Sequence, residues 1–243
     1  MISLDTLVLI SVHYLYMYPV FVFGTLGLTI ALAWVTYQSG RLLRSVPVTE
    51  NLLLAPVENI VKGMLVVLCV GLGLVSGAPL ERLGWGLQNG WRDIGLGIML
   101  GLITQFAANW ATLGAIKVFG KEIYSPVVML NIMPKTRAEW VLVPSALGLA
   151  VLLEEMLFRS LLIGGLSTSV PLPVLVIGFA AIFGLMHSPQ GPLGVVMTGL
   201  VGLWFSMLFI WSGGILLPLT VHYVVNLLQV VKAQDKRAWL ESY

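Results

Sequence analysis

Long apolar runs joined by short polar stretches dominate this chain. About 20 apolar residues cross a hydrocarbon core ~30 Å thick as a helix. Applied along the sequence, that length predicts seven spans, near 9–36, 52–76, 94–118, 140–163, 172–187, 193–211 and 214–231. No basic stretch precedes the first, and its apolar run outlasts the roughly 7–15 residues of a signal-peptide core, so it reads as a span. Residues 121–139 are broken by Pro126 and Pro134 and read as an interfacial segment, with Trp140 at headgroup depth. Only as a re-entrant crossing would that segment add an eighth span. The pattern predicts an all-α, polytopic transmembrane bundle. Residues 1–120 form N-terminal transmembrane helices, 121–139 the interfacial segment, 140–231 a polar-decorated core and 232–243 a tail.

Composition agrees with that setting. The chain is 58% hydrophobic and 10% charged, with a mean hydropathy of +0.96, against roughly 25% charged residues in a soluble domain. A monomeric soluble protein is excluded. The net charge of +2 without a basic run gives no sign of nucleic-acid binding. Cys69, the single cysteine, excludes a disulfide framework or a thiolate cluster and reads as a packed thiol.

Positive charge orients the spans. Arg41, Arg44, Lys117, Lys121, Lys135, Arg137, Lys232, Lys236 and Arg237 fall on one side, and only Arg82 and Arg92 on the other. By the positive-inside rule the N-terminus lies outside and the C-terminus in the cytoplasm. Small residues four apart, Gly73 with Gly77 and Gly97 with Gly101, predict close helix contacts.

A few polar side chains contradict the apolar background. Glu154 and Glu155 sit in VLLEEMLFRSLLI, His187 in IFGLMHSPQ and His222 in LTVHYVVNLL. A carboxylate at the bilayer centre costs at least ~2.5–3.5 kcal/mol, so a double Glu needs partners or a purpose. Glu155 and Arg159 share a helix face at i, i+4 and can pair, while Glu154 is turned about 100° away. Phe183 lies one turn before His187, and Ser188-Pro189 stops that helix. His222 and Asn226 share a face of the last span. Each pair alone fits interhelical hydrogen bonding. Together a Glu, two His and an Asn form a hydrolase set, with a base, a water-orienting imidazole and oxyanion donors.

In this order, Glu154-Glu155-xxx-Arg159, Phe183-xxx-His187 and His222-xxx-Asn226 resemble the three motifs of the CPBP, or Abi, intramembrane proteases. That family includes the type II CAAX prenyl endopeptidases. The resemblance covers about 140–231 and implies an all-helical bundle with a polar cavity that hydrolyses peptide bonds. It implies that Glu154 with His187 activates water, that His222 and Asn226 support the oxyanion, and that Glu155, Arg159 and Phe183 brace the site. A metal-free mechanism is favoured, since no HExxH occurs. If a metal is present, Glu154, His187 and His222 are the two His and one carboxylate of a zinc site. The expected partners are the bilayer and a membrane-anchored peptide or protein, in a prokaryotic plasma membrane. Oligomeric state stays open.

Other chemistries fit less well. Asp5, Asp93 and Asp235 lie outside spans or at their edges, against an aspartyl mechanism. Gly165-Leu166-Ser167 precedes Pro171 and Pro173 and reads as a turn, not a nucleophile elbow. His13, near Tyr14, Tyr16 and Tyr18, reads as an interfacial residue. A proton-coupled transporter would also carry membrane Glu and His but would show repeat symmetry. A non-catalytic scaffold or peptide-toxin immunity protein would need no base beside an oxyanion donor.

Overall fold

The computed structural model describes residues 16–45, 50–87 and 89–242, which form helices and turns with no strand among them. His13 and the beginning of the first expected span lie outside these residues. The helices are α1 (Tyr18–Ser45), α2 (Pro56–Val75), α3 (Gly90–Phe119), α4 (Val127–Ile132) and α5 (Arg137–Glu155). After them come α6 (Leu172–Met186), α7 (Gly191–Ser212), α8 (Leu216–Asp235) and α9 (Arg237–Leu240). Beyond Glu155, α5 runs on without a break as a π-helix, Met156–Gly165. Residues 121–139 hold only a 3-10 turn, the six-residue α4 and the start of α5, so no crossing is hidden there.

Local chemistry fixes the ends. Pro56 opens α2 at a position where its missing N–H costs nothing. Thr136 caps α5: its hydroxyl accepts the Glu139 N–H at 3.2 Å. The Glu139 carboxylate reaches back to the Lys135 N–H at 2.9 Å, a variant of the capping box. Gly213, with φ +70°, ends α7 in the left-handed conformation that glycine adopts without strain.

Among the described residues six helices are long and apolar enough to cross a membrane: the first three, α5 with its π extension, α7 with the turn before it, and α8. The fifth expected span is shorter than that, since α6 has 15 residues. Helix directions nevertheless make α6 a crossing. A Cβ on Gly97 would lie 2.5 Å from the Thr220 Cβ, and one on Gly101 2.7 Å from the Val224 Cβ. The two backbones therefore touch, and because both numbers rise together, α3 and α8 run parallel. Three apolar helices separate them in the chain. Parallel neighbours need an odd number of crossings between them, so α6 counts with α5 and α7.

Fifteen residues extend ~22 Å, short of a ~30 Å core. The turn after α6 is accordingly held within the bundle. Pro189 is buried, and the Ser125 N–H donates to the Gln190 carbonyl at 2.9 Å. At that turn His187, the C-cap of α6, is half-buried.

The Gly73–Gly77 pair does something other than join helices. Gly73 makes room for Trp85 and Leu83, and Gly77 has φ +66° in the turn after α2. Burial is uneven along the chain. In the first three spans 22, 17 and 17% of the apolar window is buried, against 44, 39 and 39% in the last three. The interior therefore sits around α5, α7 and α8. Its largest apolar cluster joins Phe21, Cys69, Leu161, Leu162 and Phe183, and a second joins Phe205, Leu208, Leu217, Val221 and Val225 beside the site.

Candidate active site

Glu155 is the hub. Its Oε1 accepts from Arg159 Nη1 at 2.9 Å and lies 2.8 Å from His222 Nδ1. The expected i, i+4 pair is thus formed, with both side chains 1% exposed or less. The second Arg159 nitrogen, Nη2, donates to the Gly202 carbonyl at 3.0 Å. The guanidinium also lies 5.0 Å from the ring centre of Phe183 and 5.4 Å from that of Phe205. Buried charges are tolerated only when paired and hydrogen-bonded, and aromatic faces add an attraction of their own.

His222 bridges the two glutamates. Since Glu155 next to Arg159 is an acceptor, the Nδ1 atom carries the proton. The opposite nitrogen, Nε2, lies 3.5 Å from Glu154 Oε2. Sequence spacing alone left Glu154 without a partner; the last span supplies it. A neutral imidazole would turn a lone pair toward the Glu154 oxygen, so a proton or a bridging water belongs between them. With His222 protonated, two carboxylates face two cations and the cluster is neutral. Glu154 is the solvent-reaching member, with 32% of its side chain exposed.

His187 is oriented in the same sense. Its Nδ1 lies 2.7 Å from the Phe183 carbonyl, which can only accept, so Nδ1 is protonated and Nε2 is turned away from the helix. Phe183 stands between the imidazoles, 4.8 Å from His187 and 6.1 Å from His222 by ring centres. Glu154 and His187 make no direct hydrogen bond or ion pair. Asn226, half-buried one turn beyond His222, engages no partner among the described residues. The Glu154, His187 and His222 trio offered for zinc does not converge. Among the described residues no three His, Cys, Asp or Glu side chains form a group that could hold a metal ion.

Helix α7 contributes what the sequence did not announce. Gly202 supplies a carbonyl to Arg159 and accepts the Ser206 hydroxyl at 2.8 Å. A Cβ there would lie 2.9 Å from the Phe183 ring. The Phe205 ring lies on the His222 imidazole, with centres 4.8 Å apart and planes at 34°. This apolar span holds four glycines and two phenylalanines, and nothing in the sequence singles out Gly202 and Phe205 among them.

A helical bundle with a hydrogen-bonded Glu–Arg–His cluster between its helices has the make-up of a membrane-embedded enzyme. Residues 136–228 match the Rce1-like family, described as type II CAAX prenyl endopeptidase Rce1-like. Through that stretch, over a third of the chain, the protein is similar to the type II CAAX prenyl endopeptidases, a family of intramembrane proteases. The match includes all of the residues just described. No curated protein and no solved structure matches the chain.

Proposed function

We propose that this protein hydrolyses a peptide bond near the membrane anchor of a lipidated or otherwise tethered polypeptide. The observation that carries the proposal is the pairing of half-exposed Glu154 with buried His222 Nε2, 3.5 Å apart, inside the stretch matched by the protease family. Glu154 takes a proton from water, and the water oxygen attacks the carbonyl carbon. Negative charge forms on the carbonyl oxygen, where the His222 Nε2–H and the Asn226 amide donate to it. Glu154 then gives the proton to the departing amine as the C–N bond breaks. His187 Nε2 accepts the second hydrogen of the water and fixes its attitude. No step calls on a metal.

A site set between membrane helices favours substrates held in the same bilayer, and soluble casein-like proteins are excluded as substrates. A comparison of membrane proteomes from a deletion strain and a Glu154→Gln strain tests this. Accumulation of one uncleaved precursor in both identifies the substrate. Full rescue of the deletion phenotype by Glu154→Gln would favour a non-catalytic scaffold instead.

A further inference from the structure

Nothing in the three sequence motifs explains what sets the rotation of the His222 ring. The torsion about the bond joining an imidazole to its Cβ is broad and roughly two-fold. A half-turn would exchange Nδ1 for a carbon, breaking the Glu155 hydrogen bond and moving Nε2 away from Glu154. The Glu155 bond opposes that turn from one edge of the ring only. Aromatic side chains also pack against the ring. Phe205 lies on it at 4.8 Å and 34°, and Phe183 meets it edge-on at 6.1 Å and 83°.

Phe205 is completely buried and takes the Arg159 guanidinium 5.4 Å from its ring centre. The Phe205 ring thus contacts both groups that bind Glu155. One turn earlier on α7, the Gly202 carbonyl ties the same guanidinium to this helix. The arrangement makes α7 a clamp on the hydrogen-bonded cluster, with no hydrogen-bonding group of its own needed at position 205.

We propose that Phe205 is a positioning residue, whose ring fixes the plane of the His222 imidazole so that the Glu155 bond can hold Nδ1 and leave Nε2 to Glu154. The inference rests on the hydrolytic reading for its consequence in catalysis. The geometry it concerns is independent of that reading. Phe205 acts through His222 and need not touch substrate. Its removal therefore lowers kcat and leaves KM unchanged.

The chain has three histidines, so 15N-histidine spectra of the full-length protein in detergent micelles can be assigned with His13→Gln and His187→Gln variants. Phe205→Leu keeps an apolar side chain but loses the aromatic face. Phe209→Leu, one turn further along α7, serves as the control, since Phe209 is also buried and turns its ring toward Gly84. The expected result is one His222 tautomer in the wild type and in Phe209→Leu, and a broadened or doubled signal in Phe205→Leu. On an internally quenched peptide with a farnesylated cysteine, presented in mixed micelles, kcat falls roughly 10- to 100-fold in Phe205→Leu at unchanged KM. Phe205→Met, tested the same way, replaces the leucine variant if that does not fold. An unaltered His222 signal in the folded variant overturns the proposal even if the enzyme is a hydrolase. A wild type inactive on every tethered peptide, with the His222 signal still disturbed by Phe205→Leu, overturns the hydrolytic reading and leaves the positioning role standing.

Discussion

Glu155 and His222, 67 residues apart in the chain, share a hydrogen bond of 2.8 Å deep in the bundle. The bond joins α5 to α8 and leaves Nε2, at the opposite edge of the imidazole, to Glu154. It also divides two adjacent glutamates by task. Glu155 is fully buried and holds two donors, whereas Glu154 reaches solvent and holds one nitrogen at 3.5 Å.

That division sets the first expectation. Glu154→Gln keeps the shape of the side chain and removes the base, so cleavage of a tethered substrate falls by roughly 10²–10⁴-fold. Thermal unfolding of the purified variant stays close to wild type. Wild-type turnover by Glu154→Gln would remove Glu154 from the mechanism.

Glu155→Gln is expected to behave oppositely. It leaves the Arg159 guanidinium buried without its counter-charge, a loss of roughly 3–5 kcal/mol. The double variant Glu155→Leu with Arg159→Met replaces the buried pair by apolar groups and recovers much of that stability. It does not recover activity, because His222 Nδ1 has lost its acceptor. Unfolding midpoints of the single and double variants, read with turnover, separate the two effects.

Metal content is a third test. Elemental analysis of the purified protein is expected to show no stoichiometric zinc, and activity is expected to survive chelation and dialysis. Zinc that leaves together with activity would require His187 to swing toward Glu154 and His222, since those three do not converge in this structure.

The parallel run of α3 and α8 carries its own consequence. Gly97→Leu forces a side chain against Thr220, where even a Cβ would lie 2.5 Å from the threonine Cβ. Overpacking of this kind costs about 1–3 kcal/mol, which a lowered unfolding temperature in detergent would register. Gly95→Leu on the same helix, where a Cβ meets nothing within 4 Å, should leave the temperature unchanged.

Topology follows from the same helix directions. With α6 counted as a crossing, the described residues hold seven, an odd number that predicts the two ends of the chain on opposite sides of the membrane. Cysteines placed at Ser3 and Ser242, after replacement of Cys69, should be labelled from opposite sides. The excess of positive charge assigns the C-terminal one to the cytoplasm. Labelling of both from one side would mean an even number of crossings.

The sequence alone determined the all-helical membrane architecture, because a run of about 20 apolar residues has few other stable places to be. It also determined which polar residues had to be explained, since a Glu or His in such a run is costly wherever it ends up. The Glu155–Arg159 pair was legible for a local reason: helix geometry puts residues four apart on one face. What lay beyond a helical turn was not legible. That Glu154 faces His222, that Phe205 lies on the same imidazole, and that Gly202 receives Arg159 depend on how α5, α7 and α8 are rotated against one another. Span length gives no information about rotation. The short α6 shows the same limit, since 15 residues look too few to cross. Only the contact of Gly97 with Thr220 and Gly101 with Val224 reveals the helix directions that require it to. Apolar periodicity tells each helix that it belongs in the bilayer, and side-chain packing between helices decides which of its faces meets the chemistry.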